Sequence, residues 1–337
     1  MIEDLPPAPV RSLPDVLTFP DHAAWLDGRR AGIGGSDVGA ILRADGAFGN
    51  PWKVYNSKVS AAERRSNADT RRGNAFEAAV IETYAGETGA TIVRPKVPTI
   101  YRHPVHPWAL ASVDAWTADG GIVEAKTDRD GRGWGPSQEI PAWVDGCEDI
   151  VRVSYALQCY WYLEVTGAPW CDLVVLLPRF EIATYRIHRD EDFQGDLLAA
   201  VGDWRAKHLL AGNPPPIDGS ADCTEGQRRR FPAPTDKTPV PADPDAAELI
   251  AEYAAAKARA DVAESDVAEL KNRLLGALGS RYGLTAPAGK VLQIRSDGRE
   301  TIDGAALARE YPDAYLACRR KGAPFVSVKF TAAKIKE

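Results

Sequence analysis

The chain has 337 residues, of which 45% are hydrophobic and 26% charged, a globular composition long enough for one large domain or two ordinary ones. No apolar run approaches the ~20 residues needed to cross a bilayer, so no membrane partner is expected. The net charge of −6 argues against a protein that coats nucleic acid nonspecifically, since phosphate binding is driven by Lys and Arg.

Residues 1–20 open with MIEDLPPAPVRSLPD, which has acids and prolines where a signal peptide needs a basic start and an apolar stretch. A flexible leader on a cytoplasmic protein, in a bacterium or a phage-infected host, is the expectation. An amphipathic segment, FPDHAAWLDGRR, then leads into AGIGGSDVGAIL. Gly32, Gly34 and Gly35 allow a tight backbone path there before Ser36 or Asp37 caps a helix. From Arg72 to Gly89, Phe76, Val80 and Tyr84 recur every four residues, which predicts an amphipathic helix with Glu77 beside its apolar face.

Three stretches of strand character follow, TIVRPKVPTI, WALASVDAWTA and GIVEAKT, the last two forming a hairpin across Asp119-Gly120-Gly121. After a long Gly- and Trp-containing loop from Asp128 to Ile150, residues 151–165 read as a helix that brings Tyr155, Gln158 and Tyr162 within a turn of each other. DLVVLLP and IATYRIH read as two more strands, the first buried on both faces, and a helix over 192–210 closes a mixed α/β domain spanning 21–211. Residues 212–245 are a proline-rich linker.

In the C-terminal segment, 246–337, Leu249, Tyr253, Ala256, Ala260, Ala263, Val267, Leu270 and Leu274 are spaced by four and three in alternation. That is the period of a coiled-coil seam, which can pair with another chain or fold back on its own. Strand-like KVLQIRS, a helical stretch from Ala305 to Cys318 and strand-like FVSVKF end the chain. The five cysteines form no CxxC pair and read as reduced thiols; the twelve-residue recurrence of Cys147, Cys159 and Cys171 is taken as coincidence, and an iron–sulfur centre is disfavoured.

Chemistry concentrates in the hairpin. Asp114 in one strand faces Glu124 and Lys126 in the next, and side chains two apart on a strand share a face. Converging carboxylates repel and are costly to bury, whereas a hard divalent cation relieves both problems. Magnesium, held by one or two carboxylates and keeping its waters, fits such a pair. Glu77 would add a further acid, and Gln158 would position water or phosphate.

These residues resemble the PD-(D/E)XK nuclease superfamily, and more narrowly the YqaJ-like viral recombinases related to the lambda-type phage exonuclease. The resemblance runs in order through Trp25, Arg29, Gly32-Ile33-Gly34-Gly35-Ser36-Asp37, Asn50-Pro51-Trp52, Gly73-Asn74-Ala75-Phe76-Glu77, Ala111-Ser112-Val113-Asp114, Glu124-Ala125-Lys126-Thr127 and Tyr155-Ala156-Leu157-Gln158. It implies a restriction-endonuclease-like core, a mixed sheet flanked by helices, with a C-terminal helical extension. It implies Mg2+, with Mn2+ able to substitute, held by Asp114, Glu124, Glu77 and the main chain of Ala125. Lys126 is then the catalytic lysine, Gln158 its active-site partner, and Arg29 with Ser36 the receivers of a terminal 5′-phosphate. The implied substrate is linear double-stranded DNA, digested from a 5′ end to leave 3′ overhangs for a single-strand annealing protein, by a homo-oligomer that is a ring-shaped trimer in some relatives. An endonuclease on the same site and a noncatalytic recombination scaffold are the competing readings.

Overall fold

A computed structural model describes residues 13–60, 68–232, 235–236, 238–294 and 301–320. Strand β1, Asp15–Thr18, pairs antiparallel with a later strand, so the end of the expected leader is ordered; residues 1–12 lie outside the description. Helix α1, His22–Arg30, starts where the Asp21 carboxylate accepts the Ala24 N–H at 2.9 Å and ends in Arg29 and Arg30, whose charges suit the carbonyl end of a helix. After β2, Ile33–Gly34, comes α2, Gly35–Ile41. Its N-cap is Gly34, in place of the expected Ser36 or Asp37; Asp37 sits three residues in and accepts the Gly34 N–H at 3.1 Å. Helix α3, Pro51–Val59, is capped by Asn50 and carries proline in its first turn. Helix α4, Ala68–Thr88, stops where Gly89, at φ +70°, turns its N–H back to the Ala85 carbonyl.

The three expected strands are five: β3 (Ile92–Val93), β4 (Thr99–Arg102), β5 (Ala109–Ala111), β6 (Ala115–Thr117) and β7 (Ile122–Thr127). Pro98 divides the first stretch. The second divides at Ser112–Asp114 because β5 and β6 belong to different sheets. Strand β8, Gln138–Ile140, lies inside the segment expected as a loop and pairs parallel with a strand nearly 50 residues on. Helix α5 (Val153–Thr166), strands β9 (Trp170–Leu176) and β10 (Ile182–His188), and helix α6 (Glu191–Arg205) complete the core. The proline-rich segment, expected as a linker, holds helix α7, Ala221–Arg230, whose Cys223 is buried against Trp52 and Tyr55. There the Trp52 indole donates to the Pro216 carbonyl at 2.8 Å, and a side chain at Gly226 would collide with the Trp52 ring.

The larger sheet has the order β3-β6-β7-β9-β10-β8 and the smaller β1-β4-β5-β2. Strands β7 and β9 are parallel, with Glu124 opposite Leu173 and Lys126 opposite Val175, and β6–β7 is the expected hairpin. Alternation divides β7 between two cores. Val123 and Ala125 pack with Val80, Ile81 and Tyr84 of α4, while Ile122 faces the cluster built on α5. Helix α5 is buried on nearly every side, with twelve of its fourteen residues buried, as a central helix must be. Cys159 and Cys171 are buried neighbours in that core, and burial followed by the adjacent Cys159 thiol pushes Cys171 well above its ordinary pKa.

The residues up to Arg229 form one unit and those from Arg230 a second. The second contains α8, Pro244–Leu278, 35 residues and so about 52 Å long, capped by Asp243 and closed at Gly279. It adds the hairpin β11 (Gly283–Ala286) and β12 (Gly289–Leu292). The expected Ala305–Cys318 helix is two, α9 (Gly304–Glu310) and α10 (Pro312–Cys318), because Pro312 cannot continue the first. FVSVKF and the end of KVLQIRS lie outside the described residues. Among the described residues no helix is long and apolar enough to cross a membrane.

Candidate active site

Glu124 and Lys126 share a face of β7, as their spacing predicts, and Lys126 Nζ donates to Glu124 Oε1. The same oxygen accepts from Gln158 Nε2 on α5 at 2.6 Å, and that amide nitrogen also donates to the Tyr162 hydroxyl at 2.9 Å. Glu124 is 1% exposed, and its second oxygen, Oε2, is buried without a hydrogen-bond partner among the described residues. A buried, unpartnered carboxylate oxygen is costly for a chain that only has to fold.

Asp114 lies just before β6, in the break between sheets, and not within a strand as expected. Its Oδ2 accepts the Ala125 N–H at 2.9 Å, standing in for the strand carbonyl that the break removes. Side-chain and main-chain groups of β7 and the Asp114 carboxylate thus meet at one end of the hairpin. Burial first, and then the charge of Asp114, push the Glu124 carboxyl up to about 8 against the pull of Lys126. Burial opposes the charge on Lys126, but Glu124 and Asp114 outweigh it and raise its pKa, so it stays protonated. Its ammonium also lies 5.5 Å over the Tyr155 ring.

Glu77 stands apart. It comes from α4, which covers the opposite face of β7, and its carboxylate pairs with Arg94 at 2.6 Å. Burial and then Asp114 raise its pKa, while Arg94 and Lys126 lower it, so it feels the site without joining it. A buried network fixes α4 on the sheet: the Tyr84 hydroxyl donates to Asp172 of β9, which also takes two bonds of 2.8 Å from Arg186. Among the described residues no three His, Cys, Asp or Glu side chains form a ready metal cage. The acids are held by Lys126, Gln158, Ala125 and Arg94 in its place.

Arg29 and Ser36, seven residues apart, do meet. Arg29 Nη2 donates to Ser36 Oγ at 2.8 Å while its guanidinium lies over the Trp25 ring at 4.8 Å, and Ser36 is exposed. Beneath them Lys58 Nζ lies 2.8 Å from Asp37 Oδ2 and donates to the Arg29 carbonyl at 3.1 Å. Burial works against the Asp37 charge, but Lys58 and Arg29 outweigh it and hold the carboxyl below its ordinary range. This pair is adjacent to the acids because Gly35 packs directly on α5: a Cβ there would lie 2.6 Å from the Tyr162 ring and 3.0 Å from Gln158.

Sequence reasoning missed Lys58 and Arg94, whose only signal is their place after folding; it placed Tyr162 beside Gln158 without giving it a part in the site. It also missed how the Gly-rich loop is tied down. Trp134 is sandwiched between the Tyr155 and Tyr185 rings, and Arg152 pairs with Asp128 at 2.7 Å.

Residues 24–169, which hold every one of these candidate site residues, match the family described as the YqaJ-like viral recombinase domain. The protein YqaJ of Bacillus subtilis (strain 168) is 26% identical over 304 residues, covering 88% of this chain and 90% of that protein. A span of that length necessarily includes the proline-rich segment and much of the second unit. Among solved structures, an alkaline exonuclease, LHK-Exo, from Laribacter hongkongensis is similar at 19% identity and a TM-score of 0.43, covering 61% of this chain and 96% of that one. A phage-related exonuclease from Haemophilus somnus 129PT is similar at 13% identity and a TM-score of 0.38, covering 54% and 96%.

Proposed function

We propose that this protein is a magnesium-dependent deoxyribonuclease with a PD-(D/E)XK core, digesting one strand of linear duplex DNA from a 5′-phosphorylated end. The 3′ strands it leaves would pass to a single-strand annealing protein, a role that the YqaJ-like viral recombinase domain supports. The observation that carries the reading is Glu124, whose buried Oε2 lacks a partner beside a second carboxylate and a protonated lysine. A hard divalent cation satisfies that oxygen and offsets both the burial and the Asp114 charge that raise its pKa.

The residues that would hold the cation are Asp114, Glu124 and the carbonyl of Ala125, with Glu77 available on release from Arg94; Mn2+ suits the same oxygens. When bound, the ion supplies a water of lowered pKa and offsets charge on the phosphoryl oxygens. Gln158 and Lys126 both bind Oε1, which leaves Oε2 as the free donor. Lys126 keeps its proton and presents positive charge to the scissile phosphate. Arg29 and Ser36 supply a guanidinium and an exposed hydroxyl for a terminal phosphate.

The test uses Mg2+ with 5′-phosphorylated linear duplex, 5′-hydroxyl linear duplex and closed circles. Digestion is expected in that order of rate, with circles intact. Cutting of circles at a comparable rate would move the site to internal phosphodiesters, and binding without cutting would make the protein a scaffold.

A further inference from the structure

The Arg29–Ser36 pair rests on a second, buried pair. Lys58 Nζ lies 2.8 Å from Asp37 Oδ2, and the two side chains are only 8% and 5% exposed. Three elements meet there, since Arg29 belongs to α1, Asp37 to α2 and Lys58 to α3. We infer that Lys58 is a positioning residue for the DNA end: it occupies the Asp37 carboxylate and so keeps the Arg29 guanidinium free to take a 5′-terminal phosphate. The inference rests on the assignment of Arg29 and Ser36 to that phosphate under the proposed function.

The competition that Lys58 settles is visible in the geometry. Arg29 and Asp37 border the bare side of Gly34, where a Cβ would lie 3.4 Å from Arg29 Nη2 and 3.9 Å from Asp37 Oδ2. The Asp37 carboxylate is held in that place by the Gly34 N–H, which it accepts at 3.1 Å. Carboxylate and phosphate make the same forked contact with a guanidinium, so the acid is a rival to the DNA end. Lys58 and Arg29 both draw the Asp37 carboxyl below its ordinary range, so it is charged and attracts both cations.

A buried carboxylate that loses its cation is costly. Without Lys58, Asp37 would therefore turn Arg29 inward, away from Ser36, and set a negative charge against the incoming phosphate. With Lys58 in place the three charges leave one positive, which is the sign a phosphate needs. Lys58 also donates to the Arg29 carbonyl at 3.1 Å, which ties the end of α1 to α3. At its depth it acts through Asp37 and Arg29 and does not meet the DNA end itself.

The test is the affinity of the full chain for a DNA hairpin with one open end, 5′-phosphate or 5′-hydroxyl, measured in EDTA so that nothing is cut. The unaltered chain is expected to prefer the phosphate, and Arg29→Ala to erase the preference. Lys58→Met should lower it by about tenfold, the worth of one charge-assisted contact, and Lys58→Arg should keep it. Adding Asp37→Asn to Lys58→Met should restore it, because the rival charge is gone and the amide can still accept the Gly34 N–H. Both affinities come from one preparation, so the fraction folded cancels; Lys58→Gln replaces Lys58→Met if that chain does not fold. A preference that survives loss of the Lys58 charge, or that stays lost in the double variant, would overturn the proposal and leave Arg29 and Ser36 as the phosphate site. Equal affinity of the unaltered chain for both ends would overturn it together with that assignment. A preference that depends on Lys58, without digestion in Mg2+, would uphold it and remove the nuclease reading instead.

Discussion

The two units depart from ordinary burial in opposite directions. In the first, Glu124 is 1% exposed on a strand whose neighbours are Val123 and Ile122, both at 0%. In the second, Leu249 of α8 is 66% exposed and the apolar seam it begins runs to Leu274, about seven turns on. A carboxylate taken out of water and an aliphatic stripe left in it both cost free energy in the isolated chain. On the function proposed above, a cation and DNA would recover the first cost. The two departures differ in chemistry, one a charge and the other an aliphatic face, so they can be broken separately.

The largest expected effect lies at the carboxylate. Lys126→Ala should lower digestion of linear duplex by at least about 100-fold while circular dichroism and the thermal transition stay those of a folded protein. Glu124→Gln should be as inactive and yet, at pH above 8, stabilise the metal-free chain by on the order of 1 kcal/mol, because it removes a buried charge. A Glu124→Gln chain that is active would remove the site assignment, and one that is unfolded would make Glu124 structural.

The pH dependence has a definite sign. The Glu124 carboxyl is raised from its ordinary 4.5 to about 8, so between those values the folded state holds a proton that the unfolded state has lost. Stability of the metal-free chain should therefore fall as pH rises through that window. Cation and proton compete for the same oxygens, so Mg2+ affinity by calorimetry should rise by up to about tenfold per pH unit and level off above about 8. A flat profile would mean that Glu124 is not a ligand.

At the next scale down, Arg29→Ala should slow digestion of 5′-phosphorylated ends by about 10- to 100-fold, the worth of one charge-assisted contact, and leave 5′-hydroxyl ends little changed. Equal slowing of both would assign Arg29 to folding. Gly35→Ala tests the join between the two groups of residues. Its Cβ meets the Tyr162 ring at 2.6 Å, so a loss of about 1–3 kcal/mol in a denaturant titration is expected. Activity should drop with it as Gln158 shifts. The smallest effect belongs to α8: Leu270→Lys should change the stability of the first unit by less than about 0.5 kcal/mol in a denaturant titration.

Local pattern was enough for the parts of the site whose members are close in sequence. Glu124 and Lys126 share a face because a strand repeats every two residues, and Tyr155, Gln158 and Tyr162 share one because a helix repeats near four. Helix ends at Gly89 and Asp21 follow from the chemistry of single residues. The pairing of Arg29 with Ser36 was read from a family resemblance, and the structure brings the two together at 2.8 Å.

What the sequence by itself determined is therefore periodic: the β6–β7 hairpin, the acid and lysine on it, the central helix that bears Gln158, and the heptad seam of α8. Tertiary structure alone decided which face each acid reaches and who holds it. Asp114 sits in a break because β5 and β6 join different sheets; Glu77 turns to Arg94 because α4 covers the far side of β7; Lys58 meets Asp37 across 21 residues of chain. The physical reason is range. Backbone preference and alternation act over a few residues, whereas the partner of a buried charge is chosen by the packing of elements distant in the chain, and no local pattern encodes that choice.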